Sequence, residues 1–180
     1  MKRGYIAGSL FSEAEVKQRL HEGKILRERT GEKIEWFNPI EAPCNDKSKL
    51  PTAEDIFNGD TKAIINSDFM LADLSNNDPG VMMELGIAWG LAYAHQEVTR
   101  LLERYECSSE EILKDLNRSG IKERKIDTVL SDIRIGTAHN YKGFHIPMSF
   151  NQYVVGGIES MRGKIHSSFE QSVEDIIKEV

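Results

Sequence analysis

The stretch FMLADLSNNDPGVMMELGIAWGLAYA, residues 69–94, reads as strand, turn and helix in immediate succession. FMLADL, residues 69–74, is a short apolar run of strand length, and Ser75 to Gly80 is a cluster of turn formers. Asp78 before Pro79 is a helix-start signature. A short acidic side chain accepts from the N–H groups of the first turn, and proline at the first helical position gives up only an N–H that has no partner there. From Pro79 to Ala94 the residues are apolar or small except for one charge, Glu84. Hydrophobic on every side, this helix is expected to be enclosed by protein. An ionised carboxylate without a partner there loses much of its hydration energy, so Glu84 is the first place to look for chemistry.

Working outward, Gly4 to Ala7 reads as a first strand closed by Gly8. The charged stretch from Ser12 to Arg29 follows, with Val16, Leu20 and Ile25 at near-helical spacing as its apolar face. Ile34 to Phe37 reads as a strand stopped by Asn38-Pro39. The Pro-, Asn-, Asp- and Lys-rich segment Ile40 to Pro51 reads as a surface loop able to lie over a site. Thr52 before Ala-Glu-Asp marks the start of a helix to about Asn66. Past Ala94 the chain becomes highly charged. His95 to Arg124 reads as a helical insertion, with a capping-box pattern at Ser108 to Glu111 and Gly120 suited to ending a helix. Lys125 to Leu130 is the next expected strand, Ile133 to Phe150 an irregular stretch, Asn151 to Met161 a helix and Phe169 to Val180 a terminal amphipathic helix. Alternating strands and helices predict a single α/β domain, a doubly wound parallel sheet of Rossmann-like type with helices on both faces.

The composition narrows the function. The 180 residues fit one domain, and their net charge of −6 comes with basic residues that are scattered rather than striped. That argues against a nucleic acid or an anionic membrane as partner and leaves room for a small neutral or cationic ligand. The two cysteines, Cys44 and Cys107, form no metal-binding spacing, and the five histidines are dispersed without an HExxH pattern or a neighbouring nucleophile. No secretory leader or transmembrane-length run is legible, so the expected location is the cytoplasm.

In an open α/β sheet, ligands bind where loops leave the carboxyl ends of the strands. The first strand delivers Tyr5 and then Gly8-Ser9 to that edge, and FMLADL delivers Asp78 and the start of the apolar helix. Glu84 lies six residues past Asp78, roughly 9 Å along a helix axis, so a ligand touching both must be extended and polar at both ends, as a nucleoside is. Asp60 stands four residues from both Ile56 and Ile64 and is expected to face inward with them. Carboxylates that converge on one pocket push their pKa values apart, which is how a site obtains an acid beside a base or nucleophile. Each has an ordinary alternative: Asp78 as a helix cap, Asp60 at a solvated helix edge, Tyr5 in the core. Glu84 lies beyond the first turn, where the helix dipole offers little. The AGS turn lacks a GxGxxG or GxxxxGK[ST] pattern and gives little support for a dinucleotide.

Four ordered segments, Tyr5-Ile-Ala-Gly-Ser-Leu-Phe-Ser-Glu-Ala-Glu, Asp60 eight residues before Asp68, Asp78-Pro-Gly-Val-Met-Met-Glu-Leu-Gly-Ile-Ala and Asn151-Gln-Tyr, together resemble the nucleoside 2-deoxyribosyltransferases. The resemblance implies a flavodoxin-like fold and a retaining double displacement at the anomeric carbon of a 2′-deoxynucleoside. In it Glu84 matches the nucleophile, Tyr5 the tyrosine that orients it, and Asp60 and Asp78 the acidic residues near the nucleobase. Asn151 matches an asparagine that reaches the sugar in a neighbouring subunit's site, which implies a homo-oligomer with shared sites. Tyr153 stands where such enzymes often place a methionine against the sugar. Gly8 and Ser9 complete the expected substrate-binding set. The implied partners are a nucleoside and a free nucleobase, with no metal or other cofactor.

The same superfamily includes hydrolases of nucleoside monophosphates, in which water replaces the acceptor base. Ser9 and Ser12 are candidates for a phosphate cradle, but no Arg or Lys adjoins them in sequence, so hydrolysis ranks second. A nucleotide-sensing module without turnover is the third reading. It gives no reason for a carboxylate at Glu84.

Overall fold

The computed structural model describes residues 1–46, 51–104, 110–118, 120–131, 139–141, 144–146, 157–159 and 161–179. Asn151, Tyr153 and Cys107 lie outside the described residues, as does most of the helix expected over 151–161. The elements are β1 (Lys2–Ala7), α1 (Glu13–Thr30), β2 (Ile34–Phe37), α2 (Ala53–Asn66), β3 (Phe69–Asp73), α3 (Pro79–Arg104), α4 (Glu110–Arg118), β4 (Lys125–Val129), β5 (His139–Tyr141), β6 (Phe144–Ile146), β7 (Ile165–His166) and α5 (Phe169–Lys178). Strands β2-β1-β3-β4-β7 form one sheet in that order, every pair parallel, while β5 and β6 form a separate antiparallel pair. The order is that of a flavodoxin-like doubly wound sheet, which reverses direction between β1 and β3 and opens its ligand crevice at their carboxyl ends.

Alternation along the strands sorts the core into two layers. Tyr5 and Ala7 of β1 and Met70 and Ala72 of β3 pack with Ile64 of α2 and Val81, Leu85, Ala88 and Ala92 of α3. Ile6, Leu71 and Trp36 pack on the opposite face with Leu26 of α1 and Val173 and Ile176 of α5. Tyr5 is therefore directed to the α2–α3 face by the two-residue period of its strand. Close packing on the other face depends on Gly4, where a Cβ would come within 2.3 Å of the Trp36 ring.

Local signals account for most boundaries. Ser12 and Thr52 each begin a helix through a complete capping box, with Glu15 and Asp55 as the reciprocal partners. The Met82 N–H donates to the Asp78 carbonyl, and the Gly80 N–H donates to Asp78 Oδ1 at 2.7 Å, so Asp78 caps α3 as expected. Gly120 adopts φ +85° and closes α4, while the Ile121 N–H reaches back to the Leu116 carbonyl.

Several expectations change. The buried positions of α1 are Arg19, Glu22, Gly23, Leu26 and Thr30, whereas Leu20 is 41% exposed. The inward face follows helical spacing but is partly ionic, so apolar residues alone misplaced it. Helix α3 continues without a break to Arg104, and it is not enclosed, since Met83 is 56% exposed and Tyr93 is 45% exposed. Its buried stripe, Val81, Leu85, Ala88 and Ala92, recurs at three- and four-residue steps along one face. The segment after Asn38 is built, as far as it is described, from two 3-10 turns, Pro39–Glu41 and Pro43–Asn45. The pair β5–β6 falls within the stretch expected to be irregular, and the two-residue strand β7 carries too little pattern to be seen in sequence.

Candidate active site

The site begins with Tyr5, which is 0% exposed and stacks on Phe37 with ring centroids 5.6 Å apart and planes 11° from parallel. Held by this packing, its hydroxyl donates to Glu84 Oε1 at 2.8 Å. Strand β1 and the second turn of α3 thus supply one side chain each to a single contact. The β1–β3 pairing, Tyr5 opposite Met70 and Ala7 opposite Ala72, brings them together across the switch point.

Burial pushes the Glu84 carboxyl up to about 7; the Tyr5 hydrogen bond opposes this, and the charges of Asp60 and Asp78 reinforce it. Desolvation wins over the single hydrogen bond because no cation contacts Glu84 among the described residues. Burial, followed by the charges of Glu84 and Asp60, raises the Tyr5 phenol far above its ordinary range. The phenol keeps its proton and occupies one oxygen of Glu84, and among the described residues the other is left for a reacting atom.

Asp60 lies in the third turn of α2, and its charge is felt by both Tyr5 and Glu84. It is half-buried, as the inward reading requires, and the Pro43–Asn45 turn holds it: Asn45 Nδ2 donates to its two oxygens at 3.3 and 3.4 Å, and the Cys44 thiol donates to Oδ1 at 3.7 Å. Asp78 caps α3 and also acts on the charge of Glu84. Tyr5, Asp60, Asp78 and Glu84 therefore form one electrostatic group at the carboxyl edge of the sheet. Cys44 and Asn45 were not singled out in the sequence. The composition of the 40–51 segment had marked it as a surface loop able to lie over a site, without pointing to either residue.

Gly8 and Ser9 follow β1 at the same edge. A Cβ at Gly8 would lie 1.9 Å from Arg19 Nη1, so the glycine is needed for the guanidinium to pack beneath the turn. Arg19, only 4% exposed, donates from Nη2 to Asp73 Oδ2 at 2.6 Å and to Glu22 Oε1 at 3.0 Å. Asp73 Oδ1 in turn accepts from the Ser75 N–H at 2.9 Å and shapes the loop that leads to Asp78. The Ser12 and Ser9 hydroxyls both favour the charged form of Glu15, whose carboxyl lies near 2. Glu15 Oε1 also accepts from Asn76 at 2.6 Å, so the β1–α1 turn is tied to the β3–α3 loop.

Among the described residues no group of three or more His, Cys, Asp or Glu side chains is placed to hold a metal ion. Among the described residues no helix is long and apolar enough to cross a membrane. A cavity of about 300 Å³ lined by Arg3, Gly4, Trp36, Phe37 and Ala63, among others, sits beside β1 and α2, and neither Tyr5 nor Glu84 borders it.

The family model for nucleoside 2-deoxyribosyltransferase matches residues 5–117, more than half of the chain, a span that takes in Tyr5, Asp60, Asp78 and Glu84 and most of 95–124. An uncharacterized protein of Ureaplasma parvum serovar 3 is 31% identical over 90 residues, 46% of this chain and 56% of that protein, so the chain spans little more than half of the relative's length. Two solved structures share the fold end to end. A conserved protein from Enterococcus faecalis V583 superposes with a TM-score of 0.66 at 24% identity, covering 100% of this chain and 99% of that one. A 2-desoxiribosyltransferase from Leishmania mexicana superposes with a TM-score of 0.59 at 18% identity, covering 99% and 98%. On the family match and the architecture together, the chain belongs to the nucleoside 2-deoxyribosyltransferase family.

Proposed function

We propose that this protein transfers 2-deoxyribose between nucleobases through a covalent ester on Glu84. The observation that carries the reading is the 2.8 Å bond from the buried Tyr5 hydroxyl to a carboxylate that has no cation beside it among the described residues. A cation would quench the nucleophile. A neutral phenol orients it and leaves its second oxygen reactive.

In the first displacement the free oxygen of Glu84 attacks C1′ and the bond from C1′ to the base nitrogen breaks. Its electron pair leaves with the base, which takes a proton from the carboxyl of Asp60 or Asp78. The second displacement reverses this sequence with a different base. Its nitrogen attacks C1′, Glu84 departs as a carboxylate, and the acidic residue recovers the proton. The configuration at C1′ is retained, as in a retaining glycosidase. Gly8 and Ser9 are proposed to contact the substrate, and Asn151 and Tyr153 to meet the sugar from a neighbouring subunit of a homo-oligomer. The exchange fits nucleobase salvage in the cytoplasm.

Phosphate recognition has less support at the β1–α1 turn. Arg19, a basic side chain that the fold brings there, is buried and gives Nη2 to both Asp73 and Glu22, while its Nη1 and Nε have no hydrogen-bond partner among the described residues, and the Ser9 and Ser12 hydroxyls are turned to Glu15. The test is to incubate the protein with a 2′-deoxynucleoside, with and without a different free base. Formation of the exchanged nucleoside supports transfer. Equal base release without an acceptor indicates hydrolysis, and no release from any deoxynucleoside or deoxynucleotide contradicts both enzymatic readings.

A further inference from the structure

The turn that closes β1 favours an anion, and the chain supplies one. Here the 18-residue helix α1 presents its first N–H groups and the positive end of its dipole. Beneath the turn lies Arg19, only 4% exposed, whose Nη1 and Nε have no hydrogen-bond partner among the described residues. A Cβ on Gly8 would lie 1.9 Å from that Nη1, so the unpartnered group is pressed against the turn itself. Helix end and buried guanidinium act in the same direction and favour negative charge at this place. Glu15 provides it: Oε2 accepts from the Ser12 N–H at 2.6 Å and Oε1 from Asn76 Nδ2 at 2.6 Å. Hydrogen bonds from the Ser12 and Ser9 side chains add to these and hold the carboxyl well below its usual range. Capping of α1 explains only the Ser12 part, because Ser9 precedes the helix and Asn76 comes from the β3–α3 loop. A backbone N–H, two hydroxyls and an amide around one anion are the donors on which a phosphate group would draw.

We propose that Glu15 is a specificity-determining residue, whose carboxylate occupies the anion position of the β1–α1 turn and turns away substrates that carry a 5′-phosphate. The proposal rests on the transfer reading, in which Gly8 and Ser9 contact the substrate. In that reading the nucleobase lies toward Asp60 of α2. Helix α1 packs on the opposite face of the sheet from α2, so the β1–α1 turn borders the side left for the 5′ end. A nucleoside brings a neutral hydroxyl there. A monophosphate brings about two negative charges against Glu15 and finds the Ser9, Ser12 and Asn76 donors taken.

The variant Glu15→Gln tests this, because glutamine also completes a capping box and keeps the start of α1 while removing the charge. Two measurements apply, one of them independent of turnover. The first is thermal unfolding in inorganic phosphate against sodium chloride of equal ionic strength. Phosphate should raise the midpoint of Glu15→Gln more than that of the wild type, since general salt effects are common to both. Adding Ser9→Ala to Glu15→Gln should remove most of that difference. The second is base exchange from a 2′-deoxynucleoside and from its 5′-monophosphate. The ratio of kcat/KM, monophosphate over nucleoside, should rise about 10- to 100-fold in Glu15→Gln, mainly through KM for the monophosphate. A Glu15 that only caps its helix would change stability and leave both the phosphate response and the ratio as in the wild type. An equal phosphate response in the two proteins would overturn the proposal, and so would an unmoved ratio in proteins that turn over. Exchange by the wild type with either of these results leaves the transfer reading intact. If neither protein releases base from either substrate while phosphate stabilises Glu15→Gln alone, the anion position stands and the transfer reading fails.

Discussion

Two carboxylates in this protein are driven by burial to the same place. Glu84 beside Tyr5 and Glu22 beside Arg19 are each raised to about 7, yet they differ in what stands next to them. Glu22 faces a buried guanidinium that also binds Asp73, and it accepts from Gln18 at 2.8 Å. Glu84 faces a phenol and two further acids. The first arrangement sets a buried cation against the carboxylate and, through Asp73, holds α1 against β3. The second, among the described residues, offers one neutral donor and no cation, so the charge of Glu84 goes uncompensated there, a cost that a scaffold role does not explain. A shifted pKa therefore does not separate site from scaffold; the identity of the partner does.

The largest expected effect is on chemistry. Glu84→Ala should reduce base exchange by more than about a thousandfold with the fold intact, whereas Glu22→Gln should leave kcat within a few-fold of wild type. Equal losses in the two variants would erase the distinction. The next effect lies on stability. Arg19→Met leaves Glu22 and Asp73 without their cation and should cost about 3–5 kcal/mol in chemical denaturation, the scale for breaking a buried ion pair from one side. A loss under about 1 kcal/mol would show that the cluster is solvated rather than structural.

A smaller effect separates orientation from charge. The Tyr5 bond lowers the Glu84 carboxyl against the burial that raises it, so Tyr5→Phe should lower kcat/KM about tenfold and move its acid limb above its wild-type midpoint near 7. An unshifted limb would mean that Tyr5 does not act on Glu84 in solution. The smallest effect concerns stability against pH. The folded-state carboxyl of Glu84 titrates near 7 and the unfolded one near 4.5, so the native state binds more protons in between and loses stability as pH rises through that window. Glu84→Gln removes that loss. It should be on the order of 1–2 kcal/mol more stable than wild type at pH 8, after allowance for solvent screening, and no more stable at pH 4. A gain of the same size at both pH values would point to packing instead.

The fold was legible where local chemistry decides it. The Thr52 helix start, the Asp78-Pro79 start and Gly120 fixed helix ends within a residue or two. Short apolar runs gave β2, β3 and β4. What was hidden depends on partners distant in sequence. Arg19 and Glu22 drew no notice in α1 because the carboxylate that draws Arg19 inward, Asp73, is 54 residues away. Helix α3 read as enclosed because small residues are apolar on average wherever they face, and only the packing reveals the exposed side at Met83 and Tyr93. In the candidate site, Glu84 stood out as an isolated charge and Asp60 by its helical spacing. Asn45 and Cys44 carried no periodic or motif signal, since their role comes from where a 3-10 turn ends in space.

The central claim is that Glu84 forms a bond to the sugar. The direct measurement is mass spectrometry of protein quenched during incubation with a 2′-deoxynucleoside and no acceptor base, followed by peptide mapping. The account predicts a deoxyribosyl adduct on the peptide that contains Glu84, absent in Glu84→Ala and discharged when a free base is added. Base release from the wild type with the adduct on another residue, or with turnover preserved in Glu84→Ala, would contradict it.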